Sequence, residues 1–270
     1  MNETKLDWGQ LIETALTAPG NLGDTYCRFR TYSYLNQLLL LSQGVMEPVA
    51  SMRQWNELGR RVIKGSRARV IVRPIFIEKK NEDGEVEDTL LRFKPVRGAF
   101  RLSDTEGDDL PPPNQVADWH YDRALRELGI TQVPFRELNA NVQGYSRERE
   151  LALNPLAKHP AKTRMHELAH IVLGHTVEPL AQDYLMHRGL FEFGAEGTAF
   201  LTLNELGAIS DEEASVSRAY VQSWLGGERP SDQAIRQVFS ATDKILRAGR
   251  IGVEAATQIA PVGEAIPNAV

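Results

Sequence analysis

The feature that most constrains the fold is a His-Glu-x-x-His pattern formed by His166, Glu167 and His170. On an α-helix, residues four apart lie one turn apart on the same face, so both imidazoles can reach one Zn²⁺ at about 2.0–2.1 Å. Glu167 follows the first histidine and is placed to take a proton from a water at that ion. Thr163 can cap the helix and Gly174 is suited to end it. The pattern predicts a helical metal site, and ordinary core histidines are the alternative.

A third ligand is expected because catalytic zinc sites use three protein ligands and leave a fourth position open. Glu192 and Glu196 follow His170 by 22 and 26 residues and share one face of a second predicted helix. We expect Glu192 to be the ligand and Glu196 to hold the far nitrogen of a ligand histidine, and the sequence leaves the reverse assignment open. The neighbouring phenylalanines and alanines make the stretch too apolar for a solvated acidic face. The cofactor expected is one Zn²⁺ per chain, with Mn²⁺ as the alternative ion.

His175 is expected to lie outside this site. A continuing helix would place it about 140° from the ligand face, and its spacing does not match the metzincin pattern, in which the third histidine follows the second by six residues. Tyr145, Tyr184 and His187 are candidates to stabilise an oxyanion, with ordinary structural roles as the alternative.

The order of apolar and turn-forming residues predicts an α+β fold. We expect a helix over residues 28–43 and a β-hairpin whose strands, at 70–77 and 90–102, flank an acidic turn over 78–88. A short strand at 149–154 is expected to be able to pair with an extended peptide. The linker-like composition of residues 103–114 divides the chain into a helical and β-hairpin domain, 1–108, and a mostly helical domain with a small sheet, 114–270.

Basic residues concentrate between positions 51 and 74, where seven lysines and arginines accompany one acidic residue, although the formal net charge of the chain is −5. Any binding of nucleic acid must therefore come from a local patch. Cations that track phosphates beside aromatic rings suit a single strand, whereas a solvated sheet edge is the alternative. The candidate contacts are Trp55, Arg60, Arg61, Lys64, Arg67 and Arg69.

Composition restricts the setting in which the protein works. The single Cys27 excludes an internal disulfide framework and suits a reducing compartment. No apolar run approaches the ~20 residues of a membrane span, and the first residues lack a secretion signal pattern. We expect a soluble, cytoplasmic protein without a membrane partner.

Several short segments along the chain form a recognisable series. They are residues 34–40, 54–59, 62–66, 103–107, 162–170, 192–196 and 220–225. In this order they resemble the ArdC-type antirestriction proteins and, more loosely, the metallopeptidases of the ImmA/IrrE group.

The resemblance implies an N-terminal domain that binds single-stranded DNA and a C-terminal zincin-like metallopeptidase domain. His166 and His170 match ligands, Glu167 matches the catalytic base, and Glu192 with Glu196 matches the downstream acidic pair. The partners implied are single-stranded DNA and an unidentified protein substrate. Two alternatives stay open: a non-catalytic protein that protects incoming DNA and has a structural or vestigial metal site, and a regulator protease that cleaves a repressor.

Overall fold

The computed structural model describes residues 6–29, 32–80, 86–110, 118–139, 141–177, 180–226 and 230–250. For residues 74, 76–80, 86–92, 180–187 and 224–226 it describes the backbone alone. Helices and small sheets both occur in these ranges, so the predicted α+β class is confirmed. No described helix combines the length and the apolar composition needed to cross a membrane.

Helices provide most of the regular structure. Those of the described ranges are α1 (Trp8–Thr17), α2 (Leu22–Tyr26), α3 (Tyr34–Ser42), α4 (Met52–Glu57), α5 (Tyr121–Leu128), α6 (Pro160–Leu173), α7 (Leu180–Glu205), α8 (Asp211–Gly226) and α9 (Asp232–Gly249).

The strands are β1 (Val49–Ala50), β2 (Arg60–Val62), β3 (Arg69–Lys80), β4 (Val86–Arg101), β5 (Thr105–Gly107), β6 (Thr131–Gln132), β7 (Gly144–Arg147) and β8 (Glu150–Leu153). They form three small sheets with the strand orders β1-β4-β3, β2-β5 and β6-β8-β7. Pairing is antiparallel except between β6 and β8.

The predicted hairpin is present as β3 and β4, whose register runs from Arg69 opposite Ala99 to Lys80 opposite Val86. Both strands continue into the acidic stretch that we expected to be a turn over residues 78–88. The pattern of side chains turns polar there, but the ladder of backbone hydrogen bonds persists because it does not depend on apolar side chains.

The helix predicted over residues 28–43 begins only at Tyr34. Ser33 is extended, with φ −60° and ψ 153°, and its Oγ accepts the N–H of Asn36 at 3.4 Å, which is the geometry of an N-cap. The short helix α2 precedes it and ends at Tyr26. Apolar periodicity indicated the helical face correctly, but the serine that caps the helix sets where it starts.

Two apolar clusters form the core. The larger one joins α1, α3 and the hairpin to α7, α8 and α9, and the rings of Trp8 and Phe239 lie 6.4 Å apart within it. The smaller one packs α5, β8, α6 and part of α7, and includes Leu151 and Leu168. The first hundred residues therefore share their core with the C-terminal helices. The boundary between residues 1–108 and 114–270 stays a prediction, and the two clusters do not follow it.

Candidate metal centre

The His-Glu-x-x-His pattern lies on α6, whose ends are set by local sequence. Pro160 occupies the first turn, where its missing N–H is not needed, so the helix begins before Thr163, the residue expected to cap it. The helix ends at Gly174, which has φ 81° and donates its N–H to the carbonyls of His170 and Ile171. Apolar residues on the opposite face of α6 belong to the smaller core cluster, which leaves the polar face toward α7 and β7.

Helix α7 brings two carboxylates to this face. Phe193 and Phe200 are buried and fix the helix in the larger cluster, while Glu192 and Glu196 lie one turn apart and contact the histidines of α6. A Cβ at Gly194 would lie 3.2 Å from Cδ1 of Leu173 on α6. The glycine therefore permits the close approach of the two helices that puts the four side chains together.

Three of these side chains form a group that can hold one ion. Nε2 of His166 lies 3.1 Å from Nε2 of His170 and 3.3 Å from Oε2 of Glu192, and Oε1 of Glu192 lies 3.8 Å from Nε2 of His170. Ligand atoms about 2.0–2.1 Å from a tetrahedral ion lie about 3.3–3.4 Å from one another. The donor set and its spacing therefore fit a divalent cation such as Zn²⁺. A hydrogen bond between the two imidazoles is the alternative account of the shortest distance.

Glu196 lies behind the first histidine. Its Oε2 is 3.3 Å from Nδ1 of His166, the nitrogen that points away from the group, and its Oε1 is 2.8 Å from Nζ of Lys162. A carboxylate in this place fixes the tautomer and the orientation of a ligand histidine. This geometry favours the assignment expected from the sequence, with Glu192 as the ligand and Glu196 as its support.

Burial and mutual contacts set the protonation of these side chains. Burial lowers the pKa of His166, but its contacts with Glu192 and Glu196 outweigh burial and raise the pKa to about 9. Burial raises the pKa of Glu196, but contacts with His166 and Lys162 outweigh that effect and lower it to about 2. For His170, burial and the neighbouring charge of His166 lower the pKa to about 3. At neutral pH His170 is thus neutral and the carboxylate of Glu196 is ionised, whereas His166 is protonated and an ion would have to displace its proton.

The base predicted from the motif has a partner that the motif does not include. Ser146 of β7 donates its hydroxyl to Oε2 of Glu167 at 2.7 Å. Burial raises the pKa of the Glu167 carboxyl, and the contacts with Ser146 and His166 partly offset that rise. Only pairing of β7 with β8 brings Ser146 to α6, so no spacing rule of the sequence could have indicated it.

His175 contacts the site, contrary to the sequence-based expectation. Its Nδ1 lies 3.0 Å from Nδ1 of His170. The expectation assumed a continuing helix, but the left-handed residue Gly174 ends α6 and turns the chain back toward the preceding turn. The signal was in the sequence, since Gly174 was correctly expected to end the helix.

The strand beside the site is β7, whereas the sequence led us to expect the strand at 149–154, which is β8. Strand β8 occupies the position predicted for a peptide-binding strand, but it is central and bonded to β6 and β7, so it cannot accept a further strand. Among the described residues β7 pairs with β8 alone, and its Gly144 is so close to α6 that a Cβ would lie 3.2 Å from Cγ of Glu167. Edge strand β7 is thus the one that borders the site.

Two cavities meet at His166 and Glu167, with volumes of about 690 and 410 Å³. Tyr145, one of the expected oxyanion stabilisers, lines the smaller cavity together with Glu192. The other two, Tyr184 and His187, lie in the segment of α7 whose side chains are outside the described residues. Tyr145 therefore stays a candidate, since the structure brings it to the same cavity as the ligand group.

Some of the residues expected to contact nucleic acid are bound within the protein, and others are exposed. Trp55 does not lie on the surface: its side chain is 0% exposed and its Nε1 donates to the carbonyl of Phe100 at 3.0 Å. It therefore cannot stack on a base, which corrects the sequence-based assignment. Its helical position gave no indication of depth, because the hairpin that covers it lies 45 residues further on.

Arg60 and Arg61 bind the protein's own strand β5. Nε of Arg60 donates to Oγ1 of Thr105 at 2.9 Å, and its other nitrogens donate to backbone carbonyls of the same segment. Arg61 forms an exposed ion pair with Glu106 at 3.0 Å. Lys64 and Arg67 are exposed, whereas Arg69 is half-buried and donates to the carbonyl of Arg67. Of the expected arginines and lysines, only Lys64 and Arg67 are thus freely presented.

The hairpin adds exposed cations that the sequence-based set left out. Arg73 on β3 lies directly opposite Lys94 on β4, and the exposed Arg97 lies three residues further along β4, which places its side chain on the opposite face of the strand. Like charges directly opposite each other destabilise a sheet, so this pair is unfavourable for folding by itself. None of the three has a carboxylate partner within the part of the chain that the structure describes. We refer to Arg73, Lys94 and Arg97 as the hairpin cations.

Comparisons with known proteins agree with the resemblance found in the sequence. Residues 3–101 match the family model of the N-terminal domain of anti-restriction factor ArdC, which confirms that resemblance over the first hundred residues. The chain is also similar to two crystal structures of the antirestriction protein ArdC from plasmid R388. The metal-free structure is 19% identical, with a TM-score of 0.49, and the match covers 90% of this chain and 94% of that one. The Mn(II)-bound structure is 18% identical, with a TM-score of 0.48, and the match covers 90% and 98%. No curated protein sequence matches the chain.

Proposed function

We propose that the protein is a single-stranded-DNA-binding zinc peptidase of the antirestriction type, and the match of residues 3–101 to the family model of the ArdC N-terminal domain supports the DNA-binding part. The observation that carries the peptidase part is the convergence of His166, His170 and Glu192, whose ligand atoms lie within 4.8 Å of one another. Glu167, next to the first ligand, supplies the base. The ion proposed is Zn²⁺, because two imidazoles and one carboxylate form a catalytic zinc set, and Mn²⁺ is the alternative.

A bound Zn²⁺ would polarise the scissile carbonyl and lower the pKa of its water to about 7. Ser146 holds Oε2 of Glu167, so Oε1 is the atom proposed to take the proton of that water and to pass it to the leaving amine. The free edge of β7 would bind the substrate backbone in an extended form. Tyr145 is the candidate donor to the carbonyl oxygen.

The experiment for the peptidase part compares the wild type with Glu167→Gln. The variant keeps the ligand group, so we expect an unchanged zinc content, measured by mass spectrometry of the metal. Cleavage of a proteome-derived peptide library should be lost, because no carboxylate remains to accept the proton. Cleavage at the wild-type rate by Glu167→Gln would contradict the mechanism.

The DNA part is proposed to use the hairpin cations together with Lys64 and Arg67. We expect Arg73→Glu combined with Lys94→Glu to weaken binding of a single-stranded oligonucleotide. The dependence of log affinity on log salt should become less steep by about 1.4, since each lost phosphate contact removes about 0.7. The matched control is Arg53→Glu combined with Arg126→Glu, which changes the net charge by the same amount at two exposed arginines outside the hairpin. Equal losses in both variants would exclude a specific role of the hairpin.

A non-catalytic DNA-protecting protein is the second candidate, and it is favoured by the contacts of His166 with Glu192 and Glu196, which pair the imidazole with two carboxylates without an ion. The two candidates differ in a protection assay in which a nuclease digests single-stranded DNA in the presence of each variant. If Glu167→Gln protects as well as the wild type while the hairpin variant fails, protection does not require proteolysis.

We further propose a cytoplasmic location. The single cysteine, Cys27, is a free thiol and cannot form a disulfide within the chain, which suits a reducing compartment. A protein that meets incoming single-stranded DNA and a protein substrate would meet both in that compartment.

A further inference from the structure

The contact between His170 and His175 determines which of their ring nitrogens carries a proton. A neutral imidazole has one N–H donor and one acceptor nitrogen, so the Nδ1–Nδ1 distance of 3.0 Å requires a proton on one of the two nitrogens and a lone pair on the other. If Nε2 of His170 faces an ion, its proton lies on Nδ1, and Nδ1 of His175 must accept it. In the opposite tautomer, Nε2 of His170 would carry a proton toward His166 and Glu192 and would exclude a cation.

The ring of His175 is held from two sides. It stacks on Phe191 of α7, with centroids 4.4 Å apart and planes inclined by 19°, and a Cβ at Gly194 would lie 3.4 Å from its Cε1. The next residue, Thr176, donates its hydroxyl to the carbonyl of Glu148 at 2.6 Å and accepts the N–H of Glu148 at its own carbonyl. The imidazole is therefore positioned by α7 and by the β7–β8 turn before any ion binds.

The Nδ1 atoms of the two ligand histidines thus face different acceptors. His166 faces the carboxylate of Glu196, whereas His170 faces the imidazole of His175. An acceptor that fixes the tautomer of a ligand histidine typically accounts for 10–100-fold in metal affinity.

We propose that His175 is a positioning residue of the metal centre, which accepts the Nδ1–H of His170 and thereby presents the lone pair of Nε2 to the ion. This inference rests on the metal centre of the proposed function and extends it by one residue. His175 does not touch the ion, and it acts only through His170.

The test compares two replacements of His175 in the full chain. His175→Asn keeps an amide oxygen near the place of Nδ1 and can accept the same hydrogen bond, but loses the ring. His175→Phe keeps the ring that stacks on Phe191, but has no acceptor. The control is His120→Phe, which removes an exposed histidine outside the ligand group. Each protein is titrated with Zn²⁺ against a chelator and with Co²⁺ in the visible absorption spectrum, and the metal-free proteins are compared by thermal unfolding.

We expect His175→Phe to weaken Zn²⁺ binding by about 10–100-fold and to alter the Co²⁺ spectrum. His175→Asn should bind within about threefold of the wild type, and His120→Phe should not differ from it. Wild-type affinity in His175→Phe, or equal weakening in both His175 variants, would overturn the inference and leave the proposed function intact. A wild type that binds neither Zn²⁺ nor Co²⁺ would overturn the metal centre itself.

Discussion

At the scale of single residues, the chemistry of the site depends on a second group that contacts each functional side chain. Glu196 contacts Nδ1 of His166, and His175 contacts Nδ1 of His170. Ser146 donates a hydrogen bond to Glu167. Each of these contacts fixes a proton or a lone pair in one orientation, which is a requirement for binding an ion and for accepting a proton from water.

Ser146→Ala should change the pH dependence of peptide cleavage. The hydroxyl of Ser146 lowers the pKa of the Glu167 carboxyl against the larger, opposite effect of burial, so its removal raises that pKa. The acid limb of the kcat/KM profile should therefore move to higher pH, and kcat/KM at neutral pH should fall by up to about tenfold, equivalent to roughly 1.4 kcal/mol. Ser146→Thr, which keeps a hydroxyl, is the control. An unmoved acid limb in Ser146→Ala would show that the contact does not tune the base.

The sequence patterns indicated those parts of the site that depend on local geometry. The four-residue spacings of His166 with His170 and of Glu192 with Glu196 define shared helical faces, and the structure brings both pairs together. Ser146 and His175 depend on a strand pairing and on a reversal of the chain, which periodicity does not encode.

At the scale of elements, the junction between β4 and β5 is held by the carboxylates of Glu47 and Asp104, of which Asp104 lies closer to Arg101. Asp104 accepts Nε and a terminal nitrogen of Arg101 at 3.0 and 2.8 Å and also accepts the N–H of Arg101 at 3.1 Å. The same turn places β5 against β2, where Arg60 is engaged. The sequence indicated a linker beginning at residue 103, because its polar residues and glycine gave no sign of these long-range partners.

Asp104→Asn should lower the free energy of unfolding by about 1.5–3 kcal/mol at neutral pH, as expected for a lost hydrogen bond to a charged group. The hydrogen bond from Arg101 holds the pKa of Asp104 below its ordinary value. The stabilisation is therefore fully present above the unfolded-state pKa of about 3.9 and is lost as the pH falls through the lower folded-state pKa.

Urea unfolding at neutral pH and below pH ~3 measures the difference between wild type and Asp104→Asn. The difference should shrink in acid. Glu106→Gln is the control, since Glu106 forms an exposed pair with Arg61 that contributes little. A difference that stays constant over this pH range would contradict the charged origin of the stabilisation.

At the scale of the whole molecule, the N-terminal segment and the helices around the site are joined by buried contacts. Both carboxylate oxygens of Glu205, at the end of α7, accept the N–H groups of Leu22 and Gly23 at 2.8 and 2.9 Å. Asp243 of α9 accepts the N–H of Tyr34 at 2.9 Å. Composition indicated a division of the chain near residues 103–114, but it could not indicate that the segments on either side share one core, because apolar residues do not specify their partners.

Thermal unfolding of the full chain should therefore show one transition, with the same midpoint by far-ultraviolet circular dichroism and by tryptophan fluorescence. A fragment of residues 114–270 would expose Phe193 and Phe239, which pack in the cluster shared with α1 and α3. We expect this fragment to lack a cooperative transition. An independent transition of the fragment near the midpoint of the full chain would instead support two separately folding domains.

The central claim is that His166, His170 and Glu192 hold one ion, and anomalous diffraction from crystals grown with Zn²⁺ tests it most directly. The account predicts one anomalous peak per chain at this group, with both Nε2 atoms and one oxygen of Glu192 about 2.0–2.2 Å from it. Glu196 should remain on Nδ1 of His166. A peak bound through Glu196 in place of Glu192, or no peak at this group, would contradict the account.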